Sequence, residues 1–512
     1  MRLLALVLLF GIAGCMGSAP PPVPLRPVRF LLVNDVYVAD TTGGARGGLA
    51  QVATVRKRLA DQGPTVFVLA GDFLSPSVLS KFYSGRQMVD AFDAAKLDYA
   101  TFGNHDFDVD IDTLTALIAA SSFTWVSSNC TLANGSPIPK VLPWDTLRVS
   151  GHKVGLFGLT LEGRYRPEVR CGDPDNAAER AVQALTAEGA DLIVGLTHQS
   201  VQADRDLLVR EPRIDLILGG HEHEALDSTV SGRHVVKADA NAATAQFVTL
   251  WGGKGSWRQA VGLVPIDAGL PADTAVARVV KAWNDSLTRR LGPVQTVGQT
   301  EVAIDPATSL SRRMESMLGD LVTDAMRIGT GADVALLNSG TLRLDHVIPP
   351  GPVTNHHIEA IFPFPDQSRI VTFPITGTSL RRVLEHSVSS GVLGTGGFLQ
   401  VSGVEFRYDA AKPRGKKLQG DIRRVVGGVV GPSDTVQVAM GAYSACDKGD
   451  GYELPEAAAA CAGREAAPRV ADLLIRYITG SLQGRIEVPK SSRVVRVGNA
   501  KSRQSYMLAG TR

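Results

Sequence analysis

The chain has 512 residues, 44% of them hydrophobic, with 53 basic and 51 acidic side chains and a formal charge of +2. That length supplies two or more independently packed cores, and the composition is that of an ordinary globular protein. So balanced a charge excludes a long-range field that would gather nucleic acid or an anionic membrane surface, so any anionic substrate has to be held by local groups.

In chain order, the first segment reads as a targeting signal. Arg2 precedes an apolar stretch over residues 3–12, far short of the roughly 20 residues that span a bilayer. Ile12-Ala13-Gly14-Cys15 resembles a lipobox. The resemblance implies cleavage before Cys15, a diacylglyceryl group on that thiol and a lipid-anchored, exported chain. Met16 at the next position leans toward the outer membrane. The other reading is an ordinary secretory signal with an incidental cysteine. Residues 18–27 are rich in proline and form a stiff tether. Without Cys15, four cysteines remain: Cys130, Cys171, Cys446 and Cys461. An even count in an exported chain suggests disulfides, and Cys130–Cys171 with Cys446–Cys461 is the economical pairing, each within one candidate domain. Free buried thiols are the alternative.

From about residue 28 to 265, apolar runs alternate with helix-like stretches at residues 48–62, 85–95 and 175–188, the pattern of an α/β domain. A helix-like stretch over 274–291, stopped by Gly292-Pro293, is the candidate connector. The pattern then restarts with a helix over 312–328, a strand over 334–337 and β-rich sequence to about 497. The expected boundaries are a signal at 1–14, a tether at 15–27, a catalytic domain at 28–270, a linker helix at 271–298, a substrate-binding domain at 299–498 and a disordered tail at 499–512.

Five polar segments each follow an apolar run in the first domain. They are Asn34-Asp35-Val36-Tyr37, Gly71-Asp72, Gly103-Asn104-His105-Asp106-Phe107-Asp108, Thr197-His198 and Gly219-Gly220-His221-Glu222-His223. Open α/β sheets bind ligands at the carboxyl ends of their strands, so the five segments are expected on one rim. Oxygen and imidazole donors without thiolate suit a hydrolytic Zn, Mn, Fe or Mg centre. An Asn-Asp or Gly-Asp after a strand is, alone, more often a turn than a ligand. Gly-Asn-His-Asp is more specific, and so is Gly-His-x-His, in which His221 and His223 share a face if the segment is extended. Two cations roughly 3.5–4 Å apart and sharing a carboxylate clamp phosphoryl oxygens for an in-line displacement.

The order of these motifs resembles that of the calcineurin-like metallophosphoesterases, whose fold is a four-layer α/β/β/α sandwich. Within them it is similar to the 5′-nucleotidase/UDP-sugar hydrolase family, which adds a second, smaller α/β substrate-binding domain. The resemblance implies two divalent ions bridged by Asp72, with Asp35 and His223 on one and Asn104, His198 and His221 on the other. It places His105 at the scissile phosphate, to stabilise the transition state or protonate the leaving oxygen, with Asp108 orienting the imidazole. Many members carry Asp-x-His in the first motif, where this chain has Asp35-Val36-Tyr37. Either Tyr37 packs beside the site and one ion is held loosely, or it is a phenolate ligand favouring a hard trivalent metal. With a free pKa near roughly 10, the phenol would need strong stabilisation to ionise. His152, His234, His346, His356, His357 and His386 fit no motif and read as surface or structural histidines.

Three stretches of the second half also resemble the family's C-terminal domain: residues 312–321, residues 337–343 with an Asn-x-Gly-x-x-Arg turn, and residues 397–403 with the later Gly449-Asp450-Gly451-Tyr452. Arginine binds phosphate bidentately, so Arg312 and Arg343 are the candidate phosphate grips. Phe398 and Tyr443 are candidates to sandwich a base, Phe398 being equally readable as core, and Asp450 to accept hydrogen bonds from base or ribose. Tyr443 stands where the family has phenylalanine, Pro363-Phe364-Pro365-Asp366 departs from its Pro-Phe-Gly-Asn, and residues 446–461 form a cysteine-bounded insertion. The implied activity is metal-dependent release of phosphate from extracytoplasmic nucleotides, nucleoside 5′-monophosphates first. Its partners are the nucleotide and, through the lipid alone, a membrane; no nucleic acid and no obligate protein partner is expected. The alternatives are a UDP-sugar hydrolase or 2′,3′-cyclic-nucleotide phosphodiesterase, the thiosulfohydrolase branch, and a non-catalytic nucleotide-binding lipoprotein.

Overall fold

The computed structural model describes residues 27–42, 45–304, 311–344, 347–364, 369–389, 395–487 and 492–497. Cys15, the tether before Pro27, His346, Asp366 and the polar tail lie outside the described residues.

The strand Val28–Val33 shows why the first half forms layers. Its side chains alternate between two apolar environments: Phe30 and Leu32 face a second sheet, while Leu31 and Val33 face helices. It sits inside a seven-stranded sheet ordered Ser256–Pro265, Thr244–Gly253, Val28–Val33, Val66–Ala70, Tyr99–Thr101, Thr124–Val126, Val141–Leu142. The facing six-stranded sheet is ordered Leu226–Val230, Arg233–Lys237, Leu216–Gly220, Leu192–His198, His152–Thr160, Trp144–Val149. Phe30, Leu32, Val66, Val68, Leu156, Val194, Leu196 and Leu218 fill the space between the sheets. Outside the first sheet lie the helices Leu49–Asp61, Arg86–Ala95 and Ile111–Ala120; outside the second lie Pro174–Ala187 and Val201–Arg210. The result is the expected α/β/β/α sandwich.

The expected connector is a helix over Thr274–Leu291, capped by the Asp273 carboxylate on the Ala275 and Val276 amides. It packs onto the first domain: Val276 and Val280 enter that core, and Trp283 meets Tyr83. In the second half, the four-stranded sheet is ordered Ile370–Thr376, Thr435–Gly441, Val334–Asn338, Leu399–Ser402 and carries apolar clusters on both faces. The helix expected over 312–328 runs instead from Met317 to Thr330, because Ser316 adopts extended backbone and its hydroxyl caps the Gly319 amide. Arg312 therefore precedes the helix. Disulfides join Cys130 to Cys171, which are register partners on adjacent strands, and Cys446 to Cys461.

Candidate metal centre and active site

The parallel strands Val28–Val33, Val66–Ala70, Tyr99–Thr101, Leu192–His198 and Leu216–Gly220 end at one rim, and each delivers a motif there. Asp35, Asp72 and His198 are buried, with one ligand atom of each within 4.8 Å of the others. His223 Nε2 lies 3.2 Å from Asp35 Oδ1. The His221 amide donates to Asp35 Oδ2, and the His105 amide to Asp72 Oδ1. Asp35, Asp72, His221 and His223 all have left-handed backbone, at φ 53°, 56°, 93° and 64°. Non-glycine residues hold such conformations only where their surroundings over-determine them, as at functional sites. His221 and His223 therefore meet the site by way of a tight turn, and the extended segment expected for them is corrected. Gly103 is obligatory here, since a Cβ on it would lie 2.0 Å from Asp72 Oδ1.

The electrostatics ask for a cation. Against the effect of burial, His198 and His105 hold Asp72 well below the usual carboxylate range, and His223 and His198 lower Asp35. His198 is the reciprocal case: the Asp72 and Asp35 carboxylates outweigh burial and push it up to about 10. Its Nδ1 donates to the Ala70 carbonyl, leaving Nε2 turned to Asp72 Oδ2 at 3.2 Å. Burial and neighbouring His198 pull His221 down to about 4, so its imidazole is a neutral donor of electrons at neutral pH. Asn104 Oδ1 is buried with no hydrogen-bond partner among the described residues. An orphaned amide oxygen on the residue between Gly103 and His105, both of which lie against Asp72, fits a divalent-metal ligand.

Tyr37 does not pack beside this cluster with its ring alone. Its hydroxyl lies 3.0 Å from His223 Nε2, 3.2 Å from Asp72 Oδ2 and 3.4 Å from Asp35 Oδ1, among the ligand atoms. Burial, then the Asp72 and Asp35 charges, hold the phenol well above its ordinary value, so without a cation it keeps its proton.

His105 and Asp108 pair as expected, Nδ1 to Oδ2 at 2.9 Å, and Ser75 Oγ donates to the same oxygen at 3.1 Å. Arg343 Nη2 stands 3.3 Å from His105 Nε2. A guanidinium only donates, so Nε2 accepts and the imidazole proton sits on Nδ1, facing Asp108. Arg312 lies near: burial and the Arg343 charge pull it down to about 10, and its Nε is buried without a hydrogen-bond partner among the described residues. Phe364 lies 5.6 Å under the Arg343 guanidinium and 6.1 Å from the His105 ring. Across this boundary Lys81 Nζ donates to Glu359 Oε2 at 2.8 Å and to the Phe362 carbonyl at 3.0 Å.

Of the expected base contacts, Tyr443 is half-buried with its ring against Gly449, where a Cβ would lie 2.3 Å from it. Asp450 accepts from Asn338 Nδ2 at 3.0 Å, and His386 bonds its carbonyl. Phe398 is corrected: it is fully buried in the second domain's core and presents no face to a base. His152 packs on Trp257, His234 pairs with Asp227, His356 bonds the Gly292 carbonyl at the end of the connector helix, and His357 caps its own helix.

Several residues that matter were not legible as such. Asp106, inside Gly-Asn-His-Asp, accepts the amides of Asp72, Phe73, Leu74 and Gly103 and so ties two ligand loops together. Lys237 lies buried beneath the histidine loops with Asp204 and Glu222. Its one signal is a lysine ending the otherwise apolar run Val235-Val236. Ser75 carried no signal at all, and Asn338 and Phe364 stood in motifs that assigned them no role.

Fold and site together define a calcineurin-like metallophosphoesterase, an enzyme class that hydrolyses phosphoester bonds with divalent metal. A family model described as calcineurin-like phosphoesterase matches residues 28–225, and one described as 5′-nucleotidase, C-terminal domain, matches residues 296–456. The two matches follow one another in that order along the chain. Snake venom 5′-nucleotidase of Naja atra is 25% identical over 418 residues, covering 73% of this chain and 78% of that protein. Among solved structures, a 5′-nucleotidase precursor of Thermus thermophilus superposes with a TM-score of 0.79 at 22% identity, covering 93% of this chain and all of its own. The sulfate thiohydrolase SoxB of Thermus thermophilus, with glycerol, gives 0.75 at 19% identity, covering 94% of this chain and 98% of its own. The two superpositions establish the fold.

Proposed function

We propose that this chain releases phosphate from nucleotides, preferring nucleoside 5′-monophosphates, at a centre of two divalent ions. Asp35, Asp72, His223 and the Tyr37 hydroxyl would hold one, and Asp72, Asn104, His198 and His221 the other. When bound, such ions polarise the phosphoryl oxygens and neutralise the charge of an in-line displacement. The observation that carries the substrate reading is the Arg343–His105 contact at 3.3 Å beside the ligand cluster. A phosphoryl oxygen entering between them accepts from the guanidinium and, once Nε2 has taken up a proton from solvent, from His105 as well. Arg312, whose Nε lacks a partner among the described residues, completes the cationic side of the slot. Asp108, fixed by Ser75, keeps the His105 ring in place as a proton moves at Nε2. Tyr443 and Asp450 lie on the nucleoside side, and only Tyr443 remains as a stacking surface.

The test is phosphate release from AMP, UDP-glucose, 2′,3′-cyclic AMP and thiosulfate, with added Mn²⁺ or Zn²⁺ and again with chelator. Chelator-sensitive release from AMP is expected. Cleavage of UDP-glucose or the cyclic nucleotide instead keeps the chemistry and moves the substrate, and sulfate from thiosulfate moves the branch. Silence on all four favours a binding protein. We also place the chain outside the cytoplasm with a lipid on Cys15; two disulfides suit an oxidising compartment. Cys15→Ala should then release the protein from the membrane fraction of the producing cell, and unchanged fractionation would refute lipid anchoring.

A further inference from the structure

Lys237 ends the strand Arg233–Lys237 and is completely buried. Burying an ammonium forfeits its hydration, so its partners must repay it. Nζ donates to the Gln199 carbonyl at 2.6 Å, to the Gly220 carbonyl at 2.8 Å and to Glu222 Oε2 at 2.6 Å, with Asp204 Oδ2 at 2.9 Å. Asp204 is itself held by Gln199 Nε2, and Glu222 by the Val201 amide. The lysine tail runs under the loop so closely that a Cβ on Gly219 would lie 2.8 Å from its Cε.

These contacts fall on the immediate neighbours of all three histidine ligands. Gln199 follows His198, Gly220 precedes His221, and Glu222 lies between His221 and His223. His221 and His223 are the two proposed ligands with the largest positive φ, 93° and 64°, a backbone that few non-glycine residues adopt. The two loops come from adjacent parallel strands, where His198 is the register partner of Gly220. One cation therefore crosslinks the ends of both strands just where their ligands turn into the site.

We propose that Lys237 is a positioning residue for the metal centre: through the Gln199 and Gly220 carbonyls and the Glu222 carboxylate, it presets His198, His221 and His223 for a divalent ion. This rests on the metal-centre reading above and is independent of which phosphoester is the substrate. Removing Lys237 weakens the ion's binding, since the histidines must then be ordered at the moment of binding; it leaves the phosphate slot of Arg312 and Arg343 untouched.

The experiment uses the full chain, stripped of metal, with Zn²⁺ affinity read by competition against a chromogenic chelator and folding checked by circular dichroism. Lys237→Met keeps the length of the tail and removes the charge. Its Zn²⁺ affinity should fall roughly 10–100-fold, the size typical of groups that orient metal ligands. At saturating metal, turnover should return toward wild type with KM unchanged, which a general loss of structure would not allow. Should Lys237→Met not fold, Glu222→Gln carries the test, because Glu222 is partly exposed and Lys237 keeps Asp204; its affinity should fall on the order of tenfold. Unchanged Zn²⁺ affinity in either folded variant overturns the proposal, as does turnover that stays low at saturating metal. Failure of the wild type to hydrolyse nucleotides would sink the substrate reading alone, since the affinity comparison needs no substrate.

Discussion

Arg343 and His105 are 238 positions apart and meet at 3.3 Å, one from each half of the chain. Under the proposed function this contact makes the phosphate slot a joint property of the two domains: the first would supply the metal ligands and the imidazole, the second the guanidinium. Lys81, bonded to Glu359 and the Phe362 carbonyl, holds the same boundary and brings Phe364 against both residues.

If His105 moves a proton at the leaving oxygen, His105→Ala should lower kcat by roughly two to four decades, the contribution usual for such groups. Metal content, measured by elemental analysis, should stay at the wild-type level, because no ligand is lost. Wild-type turnover in that variant would remove His105 from the reaction.

Arg343→Ala should raise KM by about tenfold or more on AMP and on p-nitrophenyl phosphate alike, since a charge-assisted hydrogen bond to phosphate is lost in both. Tyr443→Ala should raise KM for AMP and leave the nitrophenyl ester unaffected. Steady-state kinetics on the two substrates checks the division, and a Tyr443→Ala effect on both would contradict it.

Tyr37→Phe deletes a hydroxyl that lies among Asp35, Asp72 and His223. Metal occupancy after dialysis should fall below that of wild type, and a sample loaded with iron(III), on which the hydroxyl would ionise, should lose its phenolate absorption. Unchanged occupancy and spectrum would make Tyr37 a packing residue.

Stability should carry a pH signature from Asp320, at the start of the helix Met317–Thr330. Burial and the Glu315 carboxylate, against Arg493, push it from its ordinary 3.8 up to about 8. Between those values the folded state keeps a proton that the unfolded chain has lost, so stability falls as pH rises from about 4 to about 8 and levels off above. Asp320→Asn removes this dependence. Its melting temperature relative to wild type should rise steadily across that window, and a pH-independent difference would show that Asp320 does not titrate there.

The sandwich, the rim and most of the ligands were legible in the sequence because they are local or periodic. Apolar runs such as Val28–Val33 specify strands, and the motifs Asp35, Asp72, Asn104, His198 and His221 are where those strands end. Periodicity also found the helix Thr274–Leu291 to the residue. Adjacency in space was not legible. A strand-period reading of Gly-His-x-His assumed extended backbone, whereas His221, whose amide donates to Asp35 from another segment, and His223 have left-handed backbone. An aromatic beside a glycine-rich turn looked like a base platform, but packing drew Phe398 into the core. Asp106, Asn338 and Lys237 act on partners that no spacing announces.

The sequence by itself determined the kind of chemistry: oxygen and imidazole ligands in fixed order at strand ends, with arginines in a second domain. Only the tertiary structure decided how that chemistry is held. It set Tyr37 among the ligands, Arg343 against His105 and a buried lysine beneath three histidines. The physical reason is that ligand identity is carried by single residues, whereas orientation is set by burial and hydrogen bonds between segments tens to hundreds of positions apart.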